Sequence, residues 1–316
     1  MDRCGSSAIQ DIPLHVSTNC LMYADDVKLF HRVRDPGDAG RLQADLDALS
    51  RWSKTWRLHL NPAKCFTLTL TLKRQPVITD YLLDGVSLKR CSEARDLGLI
   101  LDQKLTFAQH VDKTVSQGNR LLGLLIRSMH ASRCIERGAR VCFNPRPIIC
   151  AFNAHIRSVL EYGSVIWGGA ARSHFIRVER IQHKFLMWLA TVSRVAPSSL
   201  GYEGLLRAFN MTSILSRFTQ HDIMFLFNVY RSRVNCMDLV ASFSLSAPVR
   251  MNRHLKLWHE PYARVETVKN GLFTRLPKLC NKFLESSRET DMFNMTYSDF
   301  IRAVKSYSSS VPYRVS

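Results

Sequence analysis

The sequence predicts an α+β protein in which a mixed α/β segment is followed by a helical one. Three observations carry this. Hydrophobic residues make up 46% and charged residues 22% of the 316 positions, an ordinary globular balance with enough apolar material for real cores. Up to about residue 103, short apolar runs alternate with turn residues. From about residue 104 the apolar spacing changes to the three-and-four rhythm of amphipathic helices.

The elements follow in chain order. Cys20 to Tyr23 is an apolar run, interrupted by Ala24-Asp25-Asp26 and resumed by Val27, Leu29 and Phe30, which reads as a hairpin with carboxylates at its tip. Asp35-Pro36-Gly37-Asp38 breaks the chain, and Asp38 is read as the cap of the next helix. That helix carries Leu42, Leu46, Leu49, Trp52 and Trp56 at helical spacing, and Asn61-Pro62 is read as its end. In Cys65 to Leu72, Phe66, Leu68, Leu70 and Leu72 alternate with threonines, so a strand with one buried face is expected. Asp84-Gly85 between apolar pairs predicts a tight hairpin, and Leu97 to Leu101 a further strand. Phe107 to Met129, Ile148 to Val159 and Ile176 to Leu189 predict three helices. Others are expected at Leu205 to Phe209, Ile214 to Tyr230 and around Phe300 to Val304. Residues 240–296 show weak periodicity and receive no assignment.

The charge is less ordinary. Forty-four Lys and Arg against 26 Asp and Glu give +18, and the sequence pI is near 9.8, a balance that favours a polyanionic partner, nucleic acid before an anionic membrane. The nine cysteines form no C-x-x-C pair, and Cys134, Cys142 and Cys150 stand eight apart, which fits no zinc pattern. Their odd number argues against a secreted disulfide framework, so reduced thiols in an intracellular protein, nuclear or cytoplasmic, are expected. The start of the chain has no apolar core of a signal peptide, and no apolar run is long enough to span a membrane.

Chemistry concentrates at Tyr23-Ala24-Asp25-Asp26. Adjacent carboxylates repel, and partial burial between apolar strands adds a desolvation cost that divalent cations would remove. Two-metal nucleotidyl transfer needs such hard oxygen ligands, and Mg²⁺ suits them. A solvated Asp-Asp turn is the plain alternative.

The neighbourhood of these residues resembles a known family. Leu21 to Asp26 looks like the YADD catalytic hairpin of reverse transcriptases. The following helix, Trp56, Leu60-Asn61-Pro62 and Lys64-Cys65 resemble the family's next block. Leu97 to Asp102, with Leu105, Phe107 and His110, resembles the primer-grip block and its exit into the thumb. Order and gaps are similar to the non-long-terminal-repeat class, especially the jockey-like elements. Arg157 to Trp167 and Glu179 to Phe185 resemble two later blocks of that class, so the likeness covers about residues 13–235.

The resemblance implies a right-hand polymerase. Residues 1–103 would be the latter half of the palm, an antiparallel sheet with helices. Residues 104–200 would be a helical thumb and 201–316 a C-terminal helical extension. It implies an RNA template, a DNA primer duplex and dNTP as substrates, and no membrane. Asp25 and Asp26 would be catalytic and bind Mg²⁺. Tyr23 would line the primer and nucleotide side, and Leu97 and Gly98 would support the primer end. Lys64 would protonate pyrophosphate, with a solvated lysine as the alternative. Arg120, Arg127, Arg133, Arg137 and Arg140 could meet phosphates without reading sequence, though a solvated helical face is the plainer reading of any one. His110, Trp167 and Trp188 are read as structural.

The family also needs fingers and a further Asp from an earlier strand, and nothing before Tyr23 matches them. A fragment that does not polymerise alone is therefore expected, with weak or absent Mg²⁺ binding. The palm part should be less stable than the helical part. Two rival readings are a non-enzymatic, basic nucleic-acid-binding remnant and an unrelated helical scaffold with an accidental motif. Motif order argues against the second.

Overall fold

A computed structural model describes residues 11–135, 144–246, 256–287 and 290–310. The chain divides into two units, residues 1–105 and 106–316. The first is built from a single turn of helix, α1 (Ile12–His15), a hairpin of β1 (Asn19–Tyr23) and β2 (Asp26–Phe30), and a long helix, α2 (Pro36–Trp56). Six short strands follow: β3 (Phe66–Leu68), β4 (Leu82–Leu83), β5 (Val86–Ser87), β6 (Lys89–Cys91), β7 (Glu93–Asp96) and β8 (Leu99–Asp102).

Period-two alternation decides how this unit packs. Cys20, Met22, Val27 and Leu29 share one hairpin face and pack on Ile12, Leu49 and Trp52. The opposite face carries Leu21, Tyr23 and Phe30, all exposed. Asp45 of α2 locks the entry into β1. Its buried carboxylate accepts from the Ser17 and Thr18 backbone N–H groups at 2.9 and 2.6 Å and from the Ser17 hydroxyl. Gln43, two residues earlier in the same helix, donates to the Leu82 carbonyl and accepts from the Leu82 N–H, both at 2.9 Å, and so stands in for a neighbouring strand beside β4.

Several expectations need correction. The strands form four separate two-stranded pairs among the described residues, not one antiparallel sheet, and β3 pairs with β6 in parallel. Asp35, not Asp38, is the N-cap of α2. Its side chain accepts from the Asp38 N–H, while Asp38 reaches back to the Arg34 N–H. The helix ends at Trp56, before Asn61-Pro62, because Arg57 takes the left-handed conformation and closes it. The alternating run from Cys65 pairs only over Phe66–Leu68, and Phe66, Leu70 and Leu72 are exposed. Leu97 and Gly98 form the turn between β7 and β8, so the last strand starts at Leu99. The Asp84-Gly85 hairpin forms as expected, both residues having positive φ as a type I′ turn requires.

The second unit is helical: α3 (Ala108–Ile135), α4 (Arg146–Phe152), a π-helical turn (Asn153–Arg157) running straight into α5 (Ser158–Glu161), α6 (Ser164–Trp167), α7 (Arg172–Val192), α8 (Pro197–Ala208) and α9 (Ile214–Tyr230). Then come α10 (Met237–Ser242), α11 (Glu266–Lys269), α12 (Leu272–Ser286) and α13 (Tyr297–Ser310). α3 and α7 run side by side in the same direction. Asp112 pairs with Arg177 at 2.6 Å, and seven residues on in both helices Asn119 meets Lys184 at 3.4 Å. Gly118 permits the approach, since a Cβ there would lie 2.8 Å from Leu160 and 2.9 Å from Ile181.

The two later blocks of the sequence resemblance are structural in this unit. Glu179 is buried on α7 and accepts from the Ile214 and Leu215 N–H groups at 3.1 and 3.0 Å and from the Tyr202 hydroxyl, capping α9 from another helix. Burial pushes its carboxyl up, against the pull of these donors. Trp167 is fully buried and donates to the Tyr162 carbonyl at 2.8 Å. Behind it, Arg275 of α12 grips Asp222 of α9 with Nε at 2.8 Å, and its Nη1 and Nη2 reach the Asn270 and Val165 carbonyls, both at 2.7 Å. The unassigned stretch holds α12, whose Leu276, Cys280 and Phe283 are buried. Pro277 inside it hid the periodicity. Asn281 of α12 bonds both the N–H and the carbonyl of Trp258, at 2.9 and 2.8 Å. Cys20, Cys65, Cys91, Cys150, Cys236 and Cys280 are free thiols, and among the described residues no helix is long and apolar enough to cross a membrane.

Two measurements check this account. Gly169→Ala would place a Cβ 1.9 Å from the Asn270 carbonyl oxygen, so the second unit should lose about 3 kcal/mol in urea unfolding. Asp45→Ala should cost the first unit about 2 kcal/mol, read as faster hydrogen exchange across β1 and β2. Burial raises the Asp45 carboxyl, but the Ser17 and Thr18 donors outweigh it and hold it below its ordinary value. Its contribution is therefore present above about pH 4 and is lost as pH falls through the lowered value. The same exchange rates measured from pH 6 to pH 3 should show this loss in the parent chain and not in Asp45→Ala.

Candidate active site

The candidate site is the tip of the β1–β2 hairpin. Tyr23 pairs with Asp26 across the strands, which leaves Ala24 and Asp25 as a two-residue turn. Ala24 has a φ of 53° and Asp25 is not in the positive-φ region, the pattern of a type II′ turn, whose twist matches the flanking strands. Such a turn permits no slippage. Asp25 stands at the apex, and Asp26 opens β2 on the outer face with Tyr23. All three are exposed. The expected partial burial of the carboxylates is thus not found. Solvent on three sides of a two-residue tip removes the desolvation cost and leaves only their mutual repulsion.

The outer face has a second feature. Lys28 lies two residues beyond Asp26, so it points to the same side, and its Nζ contacts the Asp96 carboxylate. Asp96 is the last residue of β7, directly before the Leu97-Gly98 turn. Leu97 and Gly98 have φ of 44° and 89°, a type I′ turn, with Leu97 exposed. One ion pair therefore couples the hairpin bearing Asp25 and Asp26 to the hairpin bearing Leu97 and Gly98. With side chains about a third exposed, 37% and 32%, it contributes at most about 1 kcal/mol, so it orients more than it stabilises. Sequence reasoning missed the pair, although alternation already places Lys28 on the face of Asp26.

Lys64 is exposed on a 3₁₀ turn (Pro62–Lys64) that Asn61 caps through the Ala63 N–H at 3.1 Å. No contact among the described residues ties it to either hairpin. As for a metal, Asp25 and Asp26 offer the hard oxygens that magnesium prefers. Among the described residues no three His, Cys, Asp or Glu side chains gather as a metal site. The pair is a partial ligand set, short of the near-octahedral cage that ion demands.

Comparison with known proteins decides the relationship. The chain is 33% identical over 169 residues to a probable RNA-directed DNA polymerase from the Drosophila melanogaster transposon BS, covering 51% of this chain and 17% of that protein. Over about half its length the chain is similar to RNA-directed DNA polymerases of retrotransposons, that of jockey among them. Over 175 residues it is 27% identical to the probable RNA-directed DNA polymerase of the X-element (55% of this chain, 18% of that one), and over 168 residues 27% identical to that of the mobile element jockey (52% and 17%), both of Drosophila melanogaster. It spans less than a fifth of the length of these relatives. No family model and no solved structure matches.

For a reverse-transcriptase relative the basic residues of the second unit matter next. Arg120 and Arg127 are exposed on α3, and Lys113 extends their line at the same seven-residue step. Successive members are about 10 Å apart and rotated by about 20°, so they form one stripe. On the neighbouring α7, Arg177, Arg180 and Lys184 form a second. Lys113, Arg180 and Lys184 were not singled out from sequence; the seven-residue step from Lys113 to Arg120 was legible there, whereas the nearness of Arg180 and Lys184 to that helix emerges only once the two helices are seen to run in parallel. The side chain of Arg133, and Arg137 and Arg140 altogether, lie outside the described residues. His110 is buried, with both ring nitrogens unpartnered among the described residues, and it packs edge-on against Trp167 at 5.6 Å. Burial lowers its basicity, and a sealed imidazole of this kind is structural.

The turn itself can be tested. Ala24→Gly relieves a left-handed alanine, so the hairpin amides should gain about 1 kcal/mol of protection in hydrogen exchange. Unchanged or weaker protection would show that the turn does not set the hairpin.

Proposed function

We propose that the chain is part of the RNA-directed DNA polymerase of a retrotransposon. Residues 1–103 would be the latter part of the palm, 104–200 a helical thumb and 201–316 a C-terminal helical extension. The observation that carries the proposal is the two-residue turn that holds Asp25 and Asp26 in solvent, coupled through Lys28 and Asp96 to the Leu97-Gly98 hairpin. Catalytic carboxylates must stand clear of the sheet to share ions with a nucleotide, and a primer support must stay in register with them.

In this reading Asp25 and Asp26 contribute two of the oxygens for Mg²⁺, which when bound would neutralise the phosphates of the dNTP. A further oxygen ligand is required from another segment. Tyr23 lies beside the carboxylates on the same face, where it would border the primer and nucleotide. Leu97 and Gly98 would meet the primer through the backbone, and Lys64 is the candidate proton donor to pyrophosphate. Arg120 and Arg127, with Lys113, would track the phosphates of the template–primer duplex; Arg133, Arg137 and Arg140 remain candidates for the same role. The partial ligand set favours a second reading alongside the first: the chain by itself is a basic nucleic-acid binder without chemistry.

The two readings predict the same result for the isolated chain and separate when it fails. Primer extension on an RNA template with Mg²⁺ should give no product, while duplex binding should weaken steeply with salt. Lys113, Arg120 and Arg127 changed together to Gln should lower the slope of log K against log salt by about 2 to 3. Extension that disappears in Asp25→Ala, Asp26→Ala would show the site to be complete and overturn the binder reading. Salt-insensitive or absent duplex binding would overturn both.

A further inference from the structure

The second unit holds two kinds of arginine. Arg275 is the structural kind: its Nε, Nη1 and Nη2 are all spent, on Asp222 and on two backbone carbonyls, and its side chain is 12% exposed. Arg157 and Arg217 differ. Both attend the single carboxylate of Glu161. Arg217 engages it with Nε and with Nη2, the latter at 2.7 Å, and keeps Nη1. Arg157 reaches it only as an ion pair through Nε at 3.5 Å, and its guanidinium makes no shorter hydrogen bond among the described residues. The two side chains are 20% and 22% exposed, so their remaining donors open to solvent from a largely desolvated setting.

The charge count is uneven. Two guanidinium groups face one carboxylate, and His221, at 3.6 Å from Glu161 with its other nitrogen 2.9 Å from the Ser164 hydroxyl, is held toward the neutral form by burial. A further carboxylate that feels Glu161, Glu179, has its oxygens occupied by the Tyr202 hydroxyl and the first N–H groups of α9. Burial and the neighbouring Arg217 both weaken Arg157 as a cation, and a bound anion would reverse that. Ser164, His221 and Glu161 also have the composition of a hydrolytic triad, but Ser164 is 2% exposed and Glu161 is bound to Arg217, so no substrate reaches the hydroxyl. The π-helical turn that ends at Arg157 adds a backbone irregularity of the type that recurs at functional positions.

We propose that Arg157 and Arg217 form a phosphate-binding site, occupied by a phosphodiester group of a nucleic-acid strand. Planar guanidinium forks with spare N–H donors match phosphate oxygens, and one uncompensated positive charge matches one phosphodiester. The site uses none of the residues of the stripe on α3. Its occupant rests on the nucleic-acid reading above; its affinity for phosphate does not. Tyr162, which follows Glu161 in sequence and is 55% exposed, is the aromatic side chain that would meet a base of the same strand.

Nuclear magnetic resonance of the arginine Nε–H groups in the full chain tests this. Inorganic phosphate and, separately, a 20-mer of oligothymidine should each shift the signals of Arg157 and Arg217 and leave Arg275 unmoved. In fluorescence anisotropy with the oligonucleotide, Arg157→Gln should lower the salt slope by about 1 and Arg157→Lys should restore it. Tyr162→Ala should weaken binding of the oligonucleotide and not of phosphate. Signals of Arg157 and Arg217 that ignore both probes would overturn the site, and because the parent chain is used, that result does not depend on a variant folding. Oligonucleotide binding with an unchanged slope in a folded Arg157→Gln would overturn the site and leave the nucleic-acid reading intact. A response to phosphate with no binding of the oligonucleotide would uphold the anion site, overturn its proposed occupant and count against that reading.

Discussion

The two-residue turn at Ala24-Asp25 is the constraint on which the first unit depends. Side chains alternate with a period of two, so a slip of one residue would exchange the hairpin's faces. Cys20, Met22, Val27 and Leu29 would leave the helix, and Leu21, Tyr23 and Phe30 would enter. The turn excludes that slip. By the same rule it sends Asp26 and Lys28 outward together, and Lys28 then meets Asp96. A short local geometry thereby sets the relation between two hairpins that are about seventy residues apart in sequence, one bearing the carboxylates and the other the backbone turn.

A second theme is how this chain satisfies isolated backbone. Lacking a broad sheet among its described residues, it uses side chains where a neighbouring strand or helix turn would serve. Gln43 bonds both polar groups of Leu82, and Asn281 both of Trp258. Asp45 takes the amides of Ser17 and Thr18, and Glu179 those of Ile214 and Leu215. Each donor or acceptor left unmet in the interior would cost about 1 to 3 kcal/mol. Asp45, Glu179 and Asn281, whose bonds are buried or partly buried, therefore matter more to the fold than their polar character suggests, while the exposed bonds of Gln43 have water as a substitute. Gln43, Asp45 and Glu179 lie in helices predicted from their apolar spacing, and only Asn281 lies in a stretch left unassigned.

The second unit explains the block from Arg157 to Trp167 in physical terms. Gly168 and Gly169, after Trp167, leave room for Arg275 of α12, which closes on Asp222, Asn270 and Val165. Glu161 gathers Arg217 and Arg157 from two helices. Much of what looks like a recognition motif is thus interior architecture, and the part left open to solvent is a pair of incompletely used guanidinium groups. The parallel course of α3 and α7 similarly turns scattered lysines and arginines into two adjoining stripes.

By itself the sequence determined the class of the fold, the hairpin with its carboxylates, the Asp84-Gly85 turn, the long helices and the relationship to reverse transcriptases. Apolar period and turn chemistry act within about ten residues and hold in any context, and the order of the motifs is read along the chain without knowing its fold. Tertiary structure decided the rest. Whether Phe66, Leu70 and Leu72 have a face to pack on depends on which strands are present beside them, and they stand exposed. α12 was hidden because Pro277 interrupts its pattern, and packing of Leu276, Cys280 and Phe283 outweighs the lost hydrogen bond. The partners of Lys28, Asp45 and Glu179 lie 23 or more residues away. Only the folded chain brings such groups within hydrogen-bonding reach, because a polar side chain's pattern in sequence does not say which distant group will meet it.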